Sequence, residues 1–430
     1  MRFNQPVCTL FFFFIIITTI LIKYSTIVEQ NNQNIHSPFS NNVNNSNNEN
    51  NNNNSIFRKR PLQGQVVQVE KIEKHCGDFK NIPVENCLKY LDKNEFDYYI
   101  MNESEPICNE DSKMLFHIFW RGPITDKLVF TMKSFLFSQP LNCSVLYIWI
   151  NYKDVDFLNS KIMHPLHKFI PDNIDFKTWN TEEQLSSIKF FRDLKGFKLV
   201  HSSVAFSDMV RFILLYKYGG IYIDADVLLI RDMRPLYYSN FEFSYHWSSK
   251  REYNTAVLRL WKNGTTARMI LQGAVKNKMN FHPYRIRKYL SQNDSYEEAN
   301  KHLYMLPVGL FDPLWLKNDK VQTLSTLEPN LNKIKDFFNP ELLPLEYLEE
   351  SINNDGNKNN TSNSNNNSTL ASPLEFRKVE KFFRGIFAYH WHNNWRTVIE
   401  PTSWAGVLET AFDEFMVGKR GNLYNEYITH

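Results

Sequence analysis

The chain has 430 residues, of which 43% are hydrophobic and 15% aromatic. That is enough apolar material for one large domain or two small ones, and it excludes a wholly disordered chain. The formal net charge of +3 gives no electrostatic footing for a nucleic-acid partner, and none is expected.

Residues 7–22 form an apolar run rich in Phe and Ile, from Phe11 to Phe14 and Ile15 to Ile17. As a helix the run would extend roughly 24 Å at 1.5 Å per residue. That is short for a membrane span but suits a thin, early-secretory bilayer. Arg2 precedes it and Lys23 follows it, so charge bias says little about orientation. No small-x-small cleavage site follows cleanly. The reading is therefore a cytoplasmic tip and uncleaved signal-anchor helix over residues 1–24, with a cleaved signal peptide as the alternative. The remainder would be lumenal, on a single-pass type II protein.

Residues 30–55 are just over half Asn, with Ser next most frequent, a composition that cannot bury a core. Residues 25–75 are expected to be an Asn-rich disordered stem, and residues 76–430 the folded body. A second Asn/Ser tract, 352–368, is expected to be a disordered surface insertion. Cys8 lies in the apolar run. Cys76, Cys87, Cys108 and Cys143 form an even set that allows two bridges in one of three pairings. Glycan acceptor sequons begin at Asn102, Asn142, Asn263 and Asn293.

Within the body, Met114 to Trp120 (MLFHIFW) has the continuous apolar character of a strand buried on both faces. Thr125 is placed to cap a helix running to about Ser138, which Pro140 would stop. Ser144 to Ile150 (SVLYIWI) is a second buried strand. Residues 155–169 suggest a helix and Ile174 to Thr178 a third strand. Val204 to Tyr218 is apolar at helical spacing and meets Gly219-Gly220, after which Ile221 to Asp224 reads as a strand. This alternation predicts an α/β fold with a mostly parallel sheet and helices on both faces. The segment Ser403 to Met416 is amphipathic and is expected to pack on the body.

The chemistry concentrates in residues 207–227. Asp224 and Asp226 stand two apart at the carboxyl end of a short buried strand, the edge where ligands bind in open α/β sheets. Two carboxylates just past a strand end can both reach one divalent cation, which prefers oxygen ligands and keeps positions open for phosphate. No basic partner is expected near the two acids, so a dry turn carrying both would be costly without a cation. Asp208 and Arg211 are three apart, so they share a helical face. Gly219-Gly220 ends that helix, with one residue expected at positive φ. The tight turn would hold the helix face and the two aspartates at fixed distance. Tyr222 alternates with Asp224 and is expected on the same side of the strand.

The pattern Asp208…Arg211…Gly219-Gly220-x-Tyr222-x-Asp224-x-Asp226 resembles the glycosyltransferases with a sugar-binding Asp-x-Asp region. These include α-1,4-galactosyltransferases, α-1,4-N-acetylglucosaminyltransferases (the GT32 type) and glucosylating bacterial toxins. The resemblance covers about residues 112–400 and is strong only over 203–236. It implies a GT-A fold, Rossmann-like with a mostly parallel sheet. It implies a retaining hexosyltransferase that uses Mn2+ or Mg2+, a nucleotide-sugar donor, most simply a UDP-sugar, and a glycan, glycolipid or glycoprotein acceptor. By this resemblance Asp226 ligates the metal directly, and Asp224 touches the ribose and the metal or its water. Asp208 and Arg211 hold sugar hydroxyls and phosphate, and Tyr222 lines the donor pocket.

His117-Ile-Phe-Trp-Arg-Gly122 resembles the family's first strand, where Trp120 would stack on the base. Tyr389-His-Trp-His-Asn-Asn-Trp395 resembles its closing segment. There His390 would supply a further metal contact, His392 stands second for that role, and Trp395 would cover the donor. Asn254 is a weaker carry-over to the donor site, and the segment Leu310–Trp315 is a weaker carry-over with no role assigned to it. Leu306-Pro-Val-Gly309 departs from the usual Gly-Pro stretch. No protein nucleophile carries a pattern, although Asp312 and Glu242 are conceivable carboxylates. A catalytically silent sugar-nucleotide or glycan-binding protein of the same fold is the alternative function. A Golgi membrane setting follows from the short anchor and the resemblance.

Overall fold

The computed structural model describes residues 65–76, 86, 90, 99–101, 113–150, 158–192, 203–247, 250–312, 315, 334–339, 386–423 and 427–428. The expected anchor at 1–24 and the insertion at 352–368 lie outside the described residues, as do Cys87 and Cys108. Among the described residues no helix is long and apolar enough to cross a membrane. Cys76 and Cys143 are each disulfide-bonded. The sequon residues Asn142, Asn263 and Asn293 are exposed.

The folded body begins earlier than the expected stem allows. Strand β1 (Gln65–Val67) pairs antiparallel with β2 (Tyr99–Met101). A helix, Val69–Cys76, follows it and buries Val69, Ile72 and Cys76. The disordered stem therefore does not extend over 65–75.

The main sheet is built from β3 (Met114–Trp120), β4 (Ser144–Ile150), β5 (Ile174–Thr178), β6 (Gly220–Ile223), β8 (Phe243–Trp247), β9 (Lys250–Leu260) and β10 (Tyr304–Leu306). Its order is β10-β8-β9-β6-β3-β4-β5. All pairings are parallel except the two made by β9, which runs antiparallel to β8 and β6. Strands β3 and β4 pair over their whole length, Met114 opposite Ser144 through Trp120 opposite Ile150. Their near-continuous apolar runs follow from burial on both faces.

Successive side chains split between two cores, as the pleat requires. Phe116, Ile118, Ile148, Ile221 and Ile223 join one core, and Phe119, Trp149 and Tyr222 join the other. The first core is closed by helices Asp126–Ser138 and Trp404–Met416, which meet through Phe130, Phe137, Phe412 and Phe415. The second is closed by helices Ser203–Tyr218 and Thr265–Lys276.

Thr125 caps its helix as expected, its hydroxyl oxygen accepting the Leu128 N–H at 3.3 Å. The segment expected as a helix over 155–169 is a 3-10 helix, Lys161–Phe169. Pro165 removes a donor in its middle, so a regular α-helix does not form.

Helix Ser203–Tyr218 ends at two residues of positive φ, Gly219 (73°) and Gly220 (96°), where one was expected. A Cβ on Gly220 would stand 2.4 Å from the Leu115 carbonyl oxygen. Backbone cannot yield there as a flexible side chain could. Gly220→Ala is expected to lose roughly 3 kcal/mol of stability or more, read as a lowered denaturation midpoint at unchanged m value.

His117 ties this turn to the sheet. Its Nε2–H donates to the Gly219 carbonyl at 2.9 Å, and Nδ1 accepts from the Trp149 indole N–H at 3.2 Å. Burial holds the ring pKa down to about 4, against the opposing pull of the Gly219 bond. The unfolded chain takes up this proton near pH 6.5, the folded chain only near 4. The neutral ring's contribution is therefore complete above 6.5 and is lost as pH falls toward 4. His117→Gln is expected to remove a component on the order of 2–3 kcal/mol from the wild-type loss of stability across that window. Denaturant titrations of both proteins at a series of pH values check this.

Candidate active site

Strand β6 stops at Ile223, and the chain turns. The Asp224 N–H still donates to Ala256 O of β9 at 2.8 Å, and the Val227 N–H closes the turn on Asp224 O at 3.0 Å. Strand β7 (Val227–Leu229) leaves immediately afterwards. Helix Asp126–Ser138 supports this turn with two buried hydroxyls. Thr131 Oγ1 donates to Ala225 O at 2.8 Å, and Ser134 Oγ accepts the Leu229 N–H at 3.1 Å. Those polar residues on a buried helix face satisfy backbone groups that the turn exposes.

The late histidines reach the aspartates through a short ribbon. Strand β11 (Ala388–His390) pairs antiparallel with β7, placing His390 opposite Val227. The Trp391 N–H then donates to Asp226 O at 3.0 Å. His392 and Asn393 both have left-handed backbones, with φ of 45° and 58°. Two such non-glycine residues in succession are strained, and strain of this kind collects at functional sites. The turn aims the Asn393 N–H at Asp226 Oδ2, 2.7 Å away. It also sets the His392 ring against that of His390, with centroids 3.7 Å apart.

His390 Nε2 lies 3.4 Å from Asp226 Oδ1, and its Nδ1 lies 3.2 Å from the Tyr245 hydroxyl and 3.6 Å from Asp312 Oδ2. His392 Nε2 is 2.5 Å from the same Asp312 oxygen and also meets the Trp315 indole N–H. Burial would push the Asp226 carboxyl up, but His390 and the Asn393 N–H overcome it and hold the pKa near 2. Burial likewise opposes protonation of His390, yet Asp226 and Asp312 raise it to about 10.

This donor set fits a divalent cation. Carboxylate oxygen and imidazole nitrogen suit Mn2+ or Zn2+. One ligand atom each from Asp312, His390 and His392 fall within 4.8 Å of one another. Asp312 Oδ1 is buried without a hydrogen-bond partner. An orphaned, buried carboxylate oxygen is costly in a finished core and natural beside a cation.

Asp224 has a different neighbour. Its Oδ1 is 3.0 Å from Arg211, which also lies 3.1 Å from Asp208. The expectation that the acids have no basic partner nearby is therefore wrong: the preceding helix supplies Arg211. Burial raises the Asp224 carboxyl to about 6 despite Arg211. The guanidinium is fully engaged. One terminal nitrogen donates to the Thr255 carbonyl (2.8 Å) and hydroxyl (2.7 Å). The other faces Ser207 Oγ at 3.3 Å as well as the two aspartates, and Nε faces Ser207 O at 3.4 Å. All three nitrogens thus have protein partners, Thr255 and Ser207 by hydrogen bonds and the two aspartates by ion pairs. In this structure it clamps Asp208 and Asp224 while also lining the cleft.

Tyr222 is not among the residues that line the cleft with Asp224 and Asp226. It is fully buried beneath Arg211, 5.0 Å from guanidinium carbon to ring centroid, and its hydroxyl meets Ser207 Oγ at 3.2 Å. Tyr222 and Asp224 do share one side, as the alternation predicts, since both meet Arg211, but the guanidinium covers the ring.

A cleft of 340 Å³ gathers the remaining candidates: Trp120, Asp208, Arg211, Asp224, Asp226, Asn254, His390 and Trp395 all line it. Trp120 and Trp395 touch, with centroids 4.8 Å apart, and form one aromatic wall. Asn254 presents its amide there while its Oδ1 accepts the Ala256 N–H at 3.0 Å. The sequence offered Asp312 only as a conceivable carboxylate near the reacting sugar, and the structure places it against both histidines. Glu242 is not among the lining residues. It is spent on the Trp261 N–H, 2.6 Å away.

Residues 125–242 match the family described as glycosyltransferase sugar-binding region containing DXD motif. Residues 191–360 match a second, described as capsular polysaccharide synthesis protein. No curated protein matches the chain. Among solved structures, an active-site mutant of LgtC is 14% identical, covering 69% of this chain and 95% of its own, with a TM-score of 0.34. The PaToxG glycosyltransferase is 17% identical, covering 49% and 75%, with a TM-score of 0.32. The glycosyltransferase GlyE of Streptococcus pneumoniae is 11% identical, covering 71% and 64%, with a TM-score of 0.33. Residues 125–242 carry a glycosyltransferase sugar-binding region with its Asp-x-Asp motif, and the chain is a glycosyltransferase.

Proposed function

We propose that the protein is a metal-dependent, retaining glycosyltransferase of GT-A type. It moves a hexose or N-acetylhexosamine from a UDP-sugar to a glycan, glycolipid or glycoprotein acceptor in the secretory pathway. A type II Golgi membrane setting belongs to the same proposal and rests on the apolar run at residues 7–22. The observation that carries the reading is the convergence of Asp224, Asp226 and His390 on one cleft whose wall is the Trp120–Trp395 pair.

The roles follow from geometry. The Trp120–Trp395 wall offers a π-face to the base. Arg211 fixes the Asp208 and Asp224 carboxylates, which accept hydrogen bonds from ribose and sugar hydroxyls, and Asn254 adds an amide. Asp226 and His390, with Asp224, Asp312 and His392 beside them, would hold a divalent cation, which when bound neutralises charge on the departing diphosphate. Retention requires the acceptor hydroxyl to approach from the face that the diphosphate leaves. The chain's contribution to rate is then mainly fixed positioning and preset electrostatics.

The test is a donor screen with purified protein, offering a panel of UDP- and GDP-sugars with and without manganese. Release of one nucleotide, abolished by chelation and restored by added cation, is the expected result. Binding of every nucleotide sugar equally well after chelation would overturn the metal-dependent reading.

A further inference from the structure

A second aromatic group faces the cleft and has no part in the roles above. Trp247, at the end of β8, stacks on Tyr284 with centroids 5.1 Å apart and planes 23° apart. It lies equally flat to His282, at 6.2 Å and 16°. Trp315 stands nearly perpendicular to Trp247, at 6.3 Å and 80°. The result is a shelf with an upright wall. Its faces are not consumed by the core, because Tyr284 is 50% exposed and Trp247, His282 and Trp315 all line the cleft.

The sheet order separates this shelf from the Trp120–Trp395 wall. The sequence β8-β9-β6-β3 puts three strand spacings between Trp247 on β8 and Trp120 on β3, or about 14 Å. One ring system cannot touch both. Asp224 follows β6, between them. A nucleotide on the β3 side of the aspartates leaves the β8 side for the other reactant.

We propose that the Trp247–Tyr284 shelf is the acceptor subsite and takes the apolar C–H face of a pyranose ring. This rests on the function proposed above. A flat aromatic surface matches that sugar face, while hydroxyls at the ring edge need polar partners. Trp247 and His282 line the same cleft and carry ring N–H groups that can supply them. A second nucleobase is a poorer fit, because no cationic side chain among the residues lining the cleft on the β8 side is placed to receive its phosphates.

The test uses the full protein with manganese and saturation-transfer NMR. Probes are methyl β-galactopyranoside, methyl α-mannopyranoside, methyl β-N-acetylglucosaminide and, separately, UDP. At least one glycoside is expected to receive saturation mainly on one C–H face. Its affinity should fall roughly 5- to 10-fold in Tyr284→Ala, an exposed position where folding is not at stake. UDP affinity should stay within about 2-fold. Trp247→Phe, which keeps a smaller aromatic face, should fall between the two. Unchanged glycoside binding in Tyr284→Ala, absence of glycoside binding while UDP binds, or loss of UDP rather than glycoside affinity each overturns the shelf as acceptor subsite. Loss of cation-dependent UDP binding in the wild-type protein instead strikes at the parent reading.

Discussion

Asp226→Ala is expected to abolish sugar transfer while the protein remains folded. Asp226 is 5% exposed, and each of its carboxylate oxygens already has an assigned neighbour, His390 Nε2 on one side and the Asn393 N–H on the other. The carboxyl is held near pKa 2, so it is a full negative charge at every working pH. Charge of that kind, preset where a cation and a diphosphate meet, is worth about 10³-fold or more in rate. Its structural value is smaller. The turn is still fixed by backbone bonds from Val227 to Asp224 and from Trp391 to residue 226, which the substitution leaves in place. A stability loss of about 1–3 kcal/mol is expected from the orphaned Asn393 N–H and His390. Asp226→Asn keeps the volume and one acceptor but not the charge, and should be nearly as inactive and more stable. Nucleotide release assays beside chemical denaturation separate the two effects. Full cation-dependent transfer by folded Asp226→Ala would remove this residue from the site.

The parts of the molecule that could be read from the chain are those whose physics is local. Strands β3 and β4 fall where their apolar runs begin and end, because a strand buried on both faces must be apolar at nearly every position. Thr125 and the Gly219-Gly220 pair announce a helix start and a helix stop by their own backbone chemistry. Asp208 and Arg211 meet because three residues along a helix is one face. What was not legible depends on distant pairing. Asp312 and His392 are 80 positions apart, and only the β7–β11 ribbon and the left-handed turn after it bring them within 2.5 Å. Strand β1 has three residues, too few to show alternation, so its ordered start was hidden behind an Asn-rich stretch. The misplacement of Tyr222 has the same root. Parity puts it on the side of Asp224, where both meet Arg211, but only the packed helix shows that the guanidinium covers the ring.

Arg211→Met is expected to cost about 3–5 kcal/mol of stability, the range for removing one partner of a buried ionic group. The guanidinium is 4% exposed, lies on the Tyr222 ring, and joins Asp208, Asp224, Ser207 and Thr255 in one knot. Burial alone would depress its pKa, but Asp224 and Asp208 more than reverse this, so it remains charged. Methionine fills much of the volume and leaves both carboxylates without their cation. Arg211→Lys keeps the charge, yet an ammonium cannot span acceptors that the planar fork reaches together, so a loss of about 2 kcal/mol is expected. A residue whose task was to bind a donor's phosphate would behave otherwise. Its cation would be underused in the free protein, and its removal would be nearly neutral for folding. The double variant Arg211→Met with Asp208→Leu separates these cases. If Arg211 is a clamp, removing the stranded Asp208 should restore about 1–2 kcal/mol relative to Arg211→Met alone, a coupling readable by denaturation without any substrate. Strict additivity with a near-neutral single variant would return Arg211 to the phosphate.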